Sequence, residues 1–151
     1  MHRAKIYSIG TSLIGSLPLV VLQLLGAVAG QLIWLFSSKT SQVLRTNIKL
    51  AFPELNAVEQ RLLARASSIE TGKMLLENLH IWTHDPQQVI ALITEVRGLS
   101  IAKAALENDK GLVLVLPHIG NWELLNHFLG KEFGLVHMHQ PASDKTIDEL
   151  I

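Results

Sequence analysis

His118 and Glu123 are the residues of this 151-residue chain whose types and spacing best suit chemistry. They lie in Leu116-Pro117-His118-Ile119-Gly120-Asn121-Trp122-Glu123, directly after the aliphatic run Leu112-Val113-Leu114-Val115-Leu116. A histidine and a glutamate five positions apart do not share a face of one continuous helix. With a turn between them, the start of a helix folds the carboxylate back toward the imidazole. Gly120 permits such a turn and leaves room for a substrate, and Asn121 suits a helix N-cap. A carboxylate bonded to one ring nitrogen fixes the tautomer and supports the imidazolium. The other nitrogen takes a proton from a bound hydroxyl, which then attacks an activated acyl group. The same spacing also describes a strand-end histidine followed by an ordinary acid, favoured in a first helical turn by the helix dipole. The chain has no Cys and no G-x-S-x-G elbow. An acyl-enzyme step therefore has no obvious nucleophile in this stretch, and direct transfer from donor to acceptor is the simpler chemistry.

Other polar residues suit chemistry less well. His80 and His84 are one helical turn apart, with Asp85 nearby, but Ile81 stands where H-E-x-x-H requires its glutamate. A polar cluster at a helix end is the expected role there. His137 and His139 alternate on one expected strand face, while His127 falls further along the helix after Asn121. Trp82 is expected to pack, and the Arg61/Arg65 pair to form a solvated helix face. No metal and no cofactor is expected.

Composition narrows the class. Lys plus Arg and Asp plus Glu both number 13, 48% of residues are apolar and 17% are charged. A basic nucleic-acid binder would show an electrostatic excess, so no nucleic-acid partner is expected. An acidic disordered tail is excluded by the apolar content, and disulfide frameworks and thiolate metal sites by the absence of Cys. The mean hydropathy of +0.30 directs attention to membrane segments.

From Ile6 to Ser38 no residue is charged, and Leu13–Phe36 is the densest apolar stretch. As one helix it would be roughly 36 Å long, against roughly 30 Å of bilayer hydrocarbon. Pro18 kinks this helix or marks its first turn. A signal peptide is the competitor: Arg3 and Lys5 give a basic start, and Ala27-Val28-Ala29 resembles a cleavage site. The apolar run continues past that point through Leu32-Ile33-Trp34-Leu35-Phe36, which favours an anchor. Basic residues flank both ends, so charge leaves the orientation open. Residues 1–38 are thus expected to be a membrane anchor in contact with lipid, and residues 39–151 a globular α/β domain.

Within that domain, Ser41–Phe52 suits an amphipathic helix and Glu54–Ile81 a long one, with Gly72 a possible break. Pro86 opens a helix over Gln87–Val96, Gly98 stops it, and a short helix follows over Ser100–Asn108. The run 112–116 has the pattern of a strand buried on both faces. A helix from Asn121 to about Lys131 and a second strand over Leu135–His139 complete a βαβ unit, the start of a mixed or parallel sheet. Another helix starts near Lys145 and is still apolar at Ile151. Two such strands want further partners, so the chain is expected to be the N-terminal part of a longer, truncated protein.

The block Lys110-Gly111-Leu112-Val113-Leu114-Val115, with His118-Ile119-Gly120-Asn121-Trp122-Glu123-Leu124, resembles the H-x4-D/E block of the bacterial lipid A biosynthesis acyltransferases of lauroyl/myristoyl type. Leu44-Arg45-Thr46-Asn47-Ile48-Lys49-Leu50-Ala51-Phe52-Pro53-Glu54 resembles the family's Arg-x-Asn…Phe-Pro-Glu segment, and the apolar anchor is in the matching place. The resemblance implies residues 39–151 to be part of an acyltransferase α/β domain on the cytoplasmic side of the bacterial inner membrane. It implies transfer of a fatty acyl chain from acyl carrier protein to a hydroxyl of a lipid A precursor. His118 would be the base and Glu123 its partner, and Gly120, Asn121 and Trp122 would shape the wall of the substrate site. One departure stands out: His139-Gln140-Pro141 occupies the place of an expected aromatic-Arg-Pro segment. A glutamine lacks the guanidinium charge that an anionic substrate would use. An inactive membrane-anchored fragment and a glycerolipid acyltransferase are the alternatives.

Overall fold

A computed structural model of the chain describes residues 2–36, 39–107, 111–117 and 119–135. Its elements are α1 (His2–Gly15), α2 (Leu19–Leu35), α3 (Lys39–Ala51), α4 (Ala57–Thr83), α5 (Pro86–Ile90), α6 (Leu99–Leu106) and α7 (Trp122–Phe133). The described residues form two compact units, one ending at Thr83 and one beginning at His84.

The expected continuous helix over Leu13–Phe36 is broken. Ser16 Oγ donates to the Leu13 carbonyl at 2.9 Å, and the Leu17 N–H turns back to Ile14 at 3.0 Å. Pro18 has no N–H to continue the ladder and disfavours a helical conformation at Leu17. It takes φ −54° and ψ 137° and stands at the N-cap of α2. The apolar stretches Ile9–Gly15 and Leu19–Leu35 are consequently bent by 110°. With 17 residues, α2 is about 26 Å long, short of the roughly 30 Å of bilayer hydrocarbon. No single helix among the described residues is long and apolar enough to cross a membrane.

What holds the first unit together is a seam of small residues. Leu22, Gly26, Gly30 and Trp34 form the buried stripe of α2, and Ala64, Ser68 and Gly72 lie on the facing side of α4. The helices run antiparallel, with Gly30 against Ser68 and Gly26 against Gly72. A Cβ on Gly26 would lie 2.5 Å from the Gly72 carbonyl oxygen, and one on Gly30 would strike the Ser68 carbonyl oxygen. Only glycine allows backbones this close. Ser68 Oγ adds a hydrogen bond to the Gly30 carbonyl at 2.8 Å. Two polar pairs flank the seam: Gln23 Nε2 donates to Glu77 Oε1 at 2.9 Å, and Arg65 Nε donates to Gln31 Oε1 at 2.8 Å. The solvated role expected of Arg65 is therefore only part of its function, because it also ties α4 to α2. On α3, the Arg45 guanidinium lies 4.2 Å from the centroid of the Trp34 ring, a cation–π contact.

Local signals set the limits of α4. Asn56 Oδ1 accepts from the N–H groups of Val58 and Glu59 at 2.9 and 3.1 Å. Glu59 Oε2 accepts from the Asn56 N–H at 2.8 Å, closing a capping box. Gly72, a possible break on sequence, lies inside the continuous helix at the seam.

In the second unit, Asp85 caps α5 by accepting from the Gln87 N–H at 2.8 Å, and Pro86 fills the first turn. The expected helix over Gln87–Val96 ends at Ile90. Ile90, Ile93, Thr94 and Val96 are β-branched and lower helix propensity there. Gly98 takes φ +80° and serves as the N-cap of α6. α5 packs on α7, Val89, Phe128 and Leu129 are buried, and Lys103 pairs with Glu132 at 3.0 Å.

The expected α/β class with a sheet and a βαβ unit is not what the structure contains: the described residues form helices and connecting segments, with no strand. The run 112–116 has the side-chain alternation of extended chain, with Val113 and Val115 at 88% and 86% exposure and Leu112, Leu114 and Leu116 half-buried. An aliphatic run sets alternation, whereas a strand also needs a neighbour for its backbone groups, and among the described residues none pairs with it. Of the expected second strand, residues 136–139 lie outside the described residues, as does the helix expected from Lys145.

Candidate active site

The start of α7 is built as its sequence suggests. Gly120 takes φ +66°, in the left-handed region that favours glycine. Asn121 follows in an extended conformation, φ −92° and ψ 91°, and its Oδ1 accepts from the Leu124 N–H at 3.3 Å. This cap places Trp122 and Glu123 in the first turn, both half-buried. A carboxylate here sits at the positive end of the helix dipole. Before the turn, the Ile119 N–H donates to the Pro117 carbonyl at 2.8 Å, and the Ile119 side chain is exposed. At the other end of α7, Gly134 takes φ +60° and returns its N–H to the Gly130 carbonyl at 3.0 Å.

The structure thus brings Gly120, Asn121, Trp122 and Glu123 together in one cap and first turn. His118, the expected base, lies outside the described residues, as do His137, His139 and Gln140. Replacing Asn121 by alanine removes the cap and is expected to cost about 1 kcal/mol. In a unit of this size that is a fall of about 4–8 °C in thermal midpoint. Asn121→Asp, which keeps the acceptor, is expected to restore it, as thermal unfolding followed by circular dichroism will show.

His127 is half-buried on α7. His80 is engaged elsewhere, its Nδ1 lying 3.1 Å from the Gly15 carbonyl where α1 meets α4. Among the described residues no group of three His, Cys, Asp or Glu side chains gathers closely enough to hold a metal ion. Gly26, Gly30 and Ser68 carry no expected role on sequence, and Gly72 only that of a possible break. Their signal was available as two small-xxx-small pairs, Gly26/Gly30 and Ser68/Gly72, a spacing that suits close helix packing.

Comparison with known proteins agrees with the resemblance noted in the sequence. Residues 3–151 match the family model of the bacterial lipid A biosynthesis acyltransferases. The chain is 28% identical over 138 residues to the lipid A biosynthesis lauroyltransferase of Escherichia coli (strain K12), covering 91% of this chain and 45% of that protein. It is 24% identical over 132 residues to the lipid A biosynthesis palmitoleoyltransferase of the same organism, covering 87% of this chain and 43% of the relative. The same figures hold for the lipid A biosynthesis acyltransferase of Shigella flexneri. The chain therefore spans less than half the length of these curated relatives. No solved structure matches it. Matched by the family model over nearly its whole length, the chain belongs to the bacterial lipid A biosynthesis acyltransferase family.

Proposed function

We propose that the chain forms part of an enzyme that transfers a fatty acyl chain from acyl carrier protein to a hydroxyl of a lipid A precursor. The enzyme works at the cytoplasmic face of the inner membrane, where residues 1–38 anchor it. The family match over residues 3–151, which includes the H-x4-E block, carries this reading. The capped first turn holding Glu123 supports it.

In this reading His118 takes the proton of the acceptor hydroxyl as its oxygen bonds to the thioester carbonyl carbon. The tetrahedral intermediate collapses by breaking the carbon–sulfur bond, and the thiolate leaves with the proton held by the imidazolium. Glu123 holds the ring in the correct tautomer and stabilises its charged form. Gly120, Asn121 and Trp122 shape the wall beside the reacting groups.

The test is an acyl-transfer assay on membranes from cells expressing the chain, with and without the remaining half of its relatives' length. Labelled acyl–acyl carrier protein is the donor, and a lipid A precursor and a glycerol phosphate lipid are offered as competing acceptors. Label is expected in the lipid A precursor when the full length is present. Label in the glycerolipid would assign a different acceptor. No transfer above background would point instead to an inactive protein, the outcome that Gln140 motivates.

A further inference from the structure

We infer that α2 docks lengthwise into one leaflet of an anionic membrane, lying along the surface instead of crossing it. Its residues divide sharply by side. Val20, Leu24, Val28, Leu32 and Phe36 are exposed, at 66%, 64%, 58%, 45% and 77%. They recur every four residues and stand opposite the buried stripe Leu22, Gly26, Gly30 and Trp34, two residues out of phase. α2 therefore presents a continuous apolar face on one side and is fastened by backbone contact to α4 on the other.

That attachment excludes a spanning orientation on physical grounds. α4 runs beside α2 along its length and carries Arg65, Glu70, Lys73 and Glu77 over the facing stretch. Glu70 and Lys73, paired at 2.7 Å, lie beside the middle of α2, with side chains 67% and 31% exposed. Standing α2 upright in a bilayer would carry these charges to its midplane, where ionised groups are costly. Lying flat, α2 buries its apolar face among acyl chains while α4 stays on the water side. The 110° bend before Leu19 is compatible with this arrangement and not with one straight span. The charge pattern selects the membrane. α2 has no charged residue. α3, joined to it through Arg45 and Trp34, carries Lys39, Arg45 and Lys49, all exposed, and no acid. A basic helix beside an apolar one fits anionic headgroups above acyl chains. A second copy of this chain would bring the same positive charge toward itself.

The inference shares with the proposed function the attachment of residues 1–38 to the membrane and rests on none of its acyl-transfer chemistry. Vesicle binding needs neither donor nor acceptor, so either reading can fail alone. The chain has no cysteine, so Val20→Cys, Val28→Cys and Phe36→Cys can each carry a fluorescent probe without background. The labelled proteins are mixed with phosphatidylethanolamine–phosphatidylglycerol vesicles containing quenchers at known depths. All three probes are expected at one shallow depth. Val28→Cys at the midplane with the other two near opposite surfaces would overturn the inference. The double variant Leu24→Glu, Leu32→Glu changes only exposed positions, and circular dichroism checks its fold. It is expected to partition into the vesicles about tenfold more weakly or worse, and unchanged partitioning would overturn the inference. So would wild-type protein that ignores the vesicles, or a dimer by light scattering in which the Val28→Cys probe is shielded from lipid quenchers. Vesicles of phosphatidylcholine alone are expected to bind less; equal binding would overturn the anionic preference.

Discussion

His118→Ala, introduced into the full-length protein, is expected to lower kcat/KM for acyl transfer by about 10²–10⁴-fold, the usual contribution of a positioned general base. The loss should fall on kcat, because the proton moves in the transition state and not on substrate binding. Glu123→Ala is expected to follow with a smaller loss, since in the proposed mechanism its carboxylate acts through the ring. Glu123→Gln separates its two contributions: it can still orient a ring N–H but cannot stabilise the imidazolium. Thermal unfolding of each variant checks that the cap at Asn121 and the packing of α7 survive. Transfer at wild-type rate by folded His118→Ala would remove this histidine from the mechanism.

The largest effect on stability is expected at the α2–α4 seam. A side chain at Gly30 would run into the Ser68 carbonyl and the Ile69 Cα, and one at Gly72 into the Gly26 carbonyl and the Gly30 N–H. These neighbours are backbone atoms and cannot rotate away. Gly30→Leu must therefore force the helices apart, losing the Ser68–Gly30 hydrogen bond and the packing around Leu22 and Trp34. Overpacking costs about 1–3 kcal/mol where side chains can shift, and a contact between backbones belongs at the top of that range or above. Against a typical total of about 5–15 kcal/mol, that is a large share. The thermal midpoint of the first unit is expected to fall by more than about 10 °C. Gly10→Ala is the contrast, because a Cβ there meets nothing within 4 Å. It is expected to stabilise α1 by about 0.5–1 kcal/mol through helix propensity alone. Equal behaviour of the two variants in a thermal melt would contradict the close seam.

Short-range signals in the sequence carried much of the site. Asn121 was readable as a helix cap, Gly120 as a turn glycine and Glu123 as a first-turn acid, because each depends on groups within about four residues. The family was readable too, from the spacing of His118 and Glu123 together with the Arg45–Glu54 segment. The βαβ expectation failed for a related reason. Leu112–Leu116 specifies alternation of its own side chains, but a ladder is made with a partner far away in sequence.

The sequence by itself determined the caps and first turns at Pro86 and Asn121 and which stretch is free of charge. These follow from side-chain chemistry and from steric effects confined to neighbouring residues. A break at Pro18 was legible in the sequence, but the tertiary structure alone decided that Gly26 and Gly30 meet Ser68 and Gly72 and that Arg65 reaches Gln31. Those outcomes depend on which surfaces come within van der Waals distance once the chain has closed on itself, and many sequences with the same local preferences could close differently.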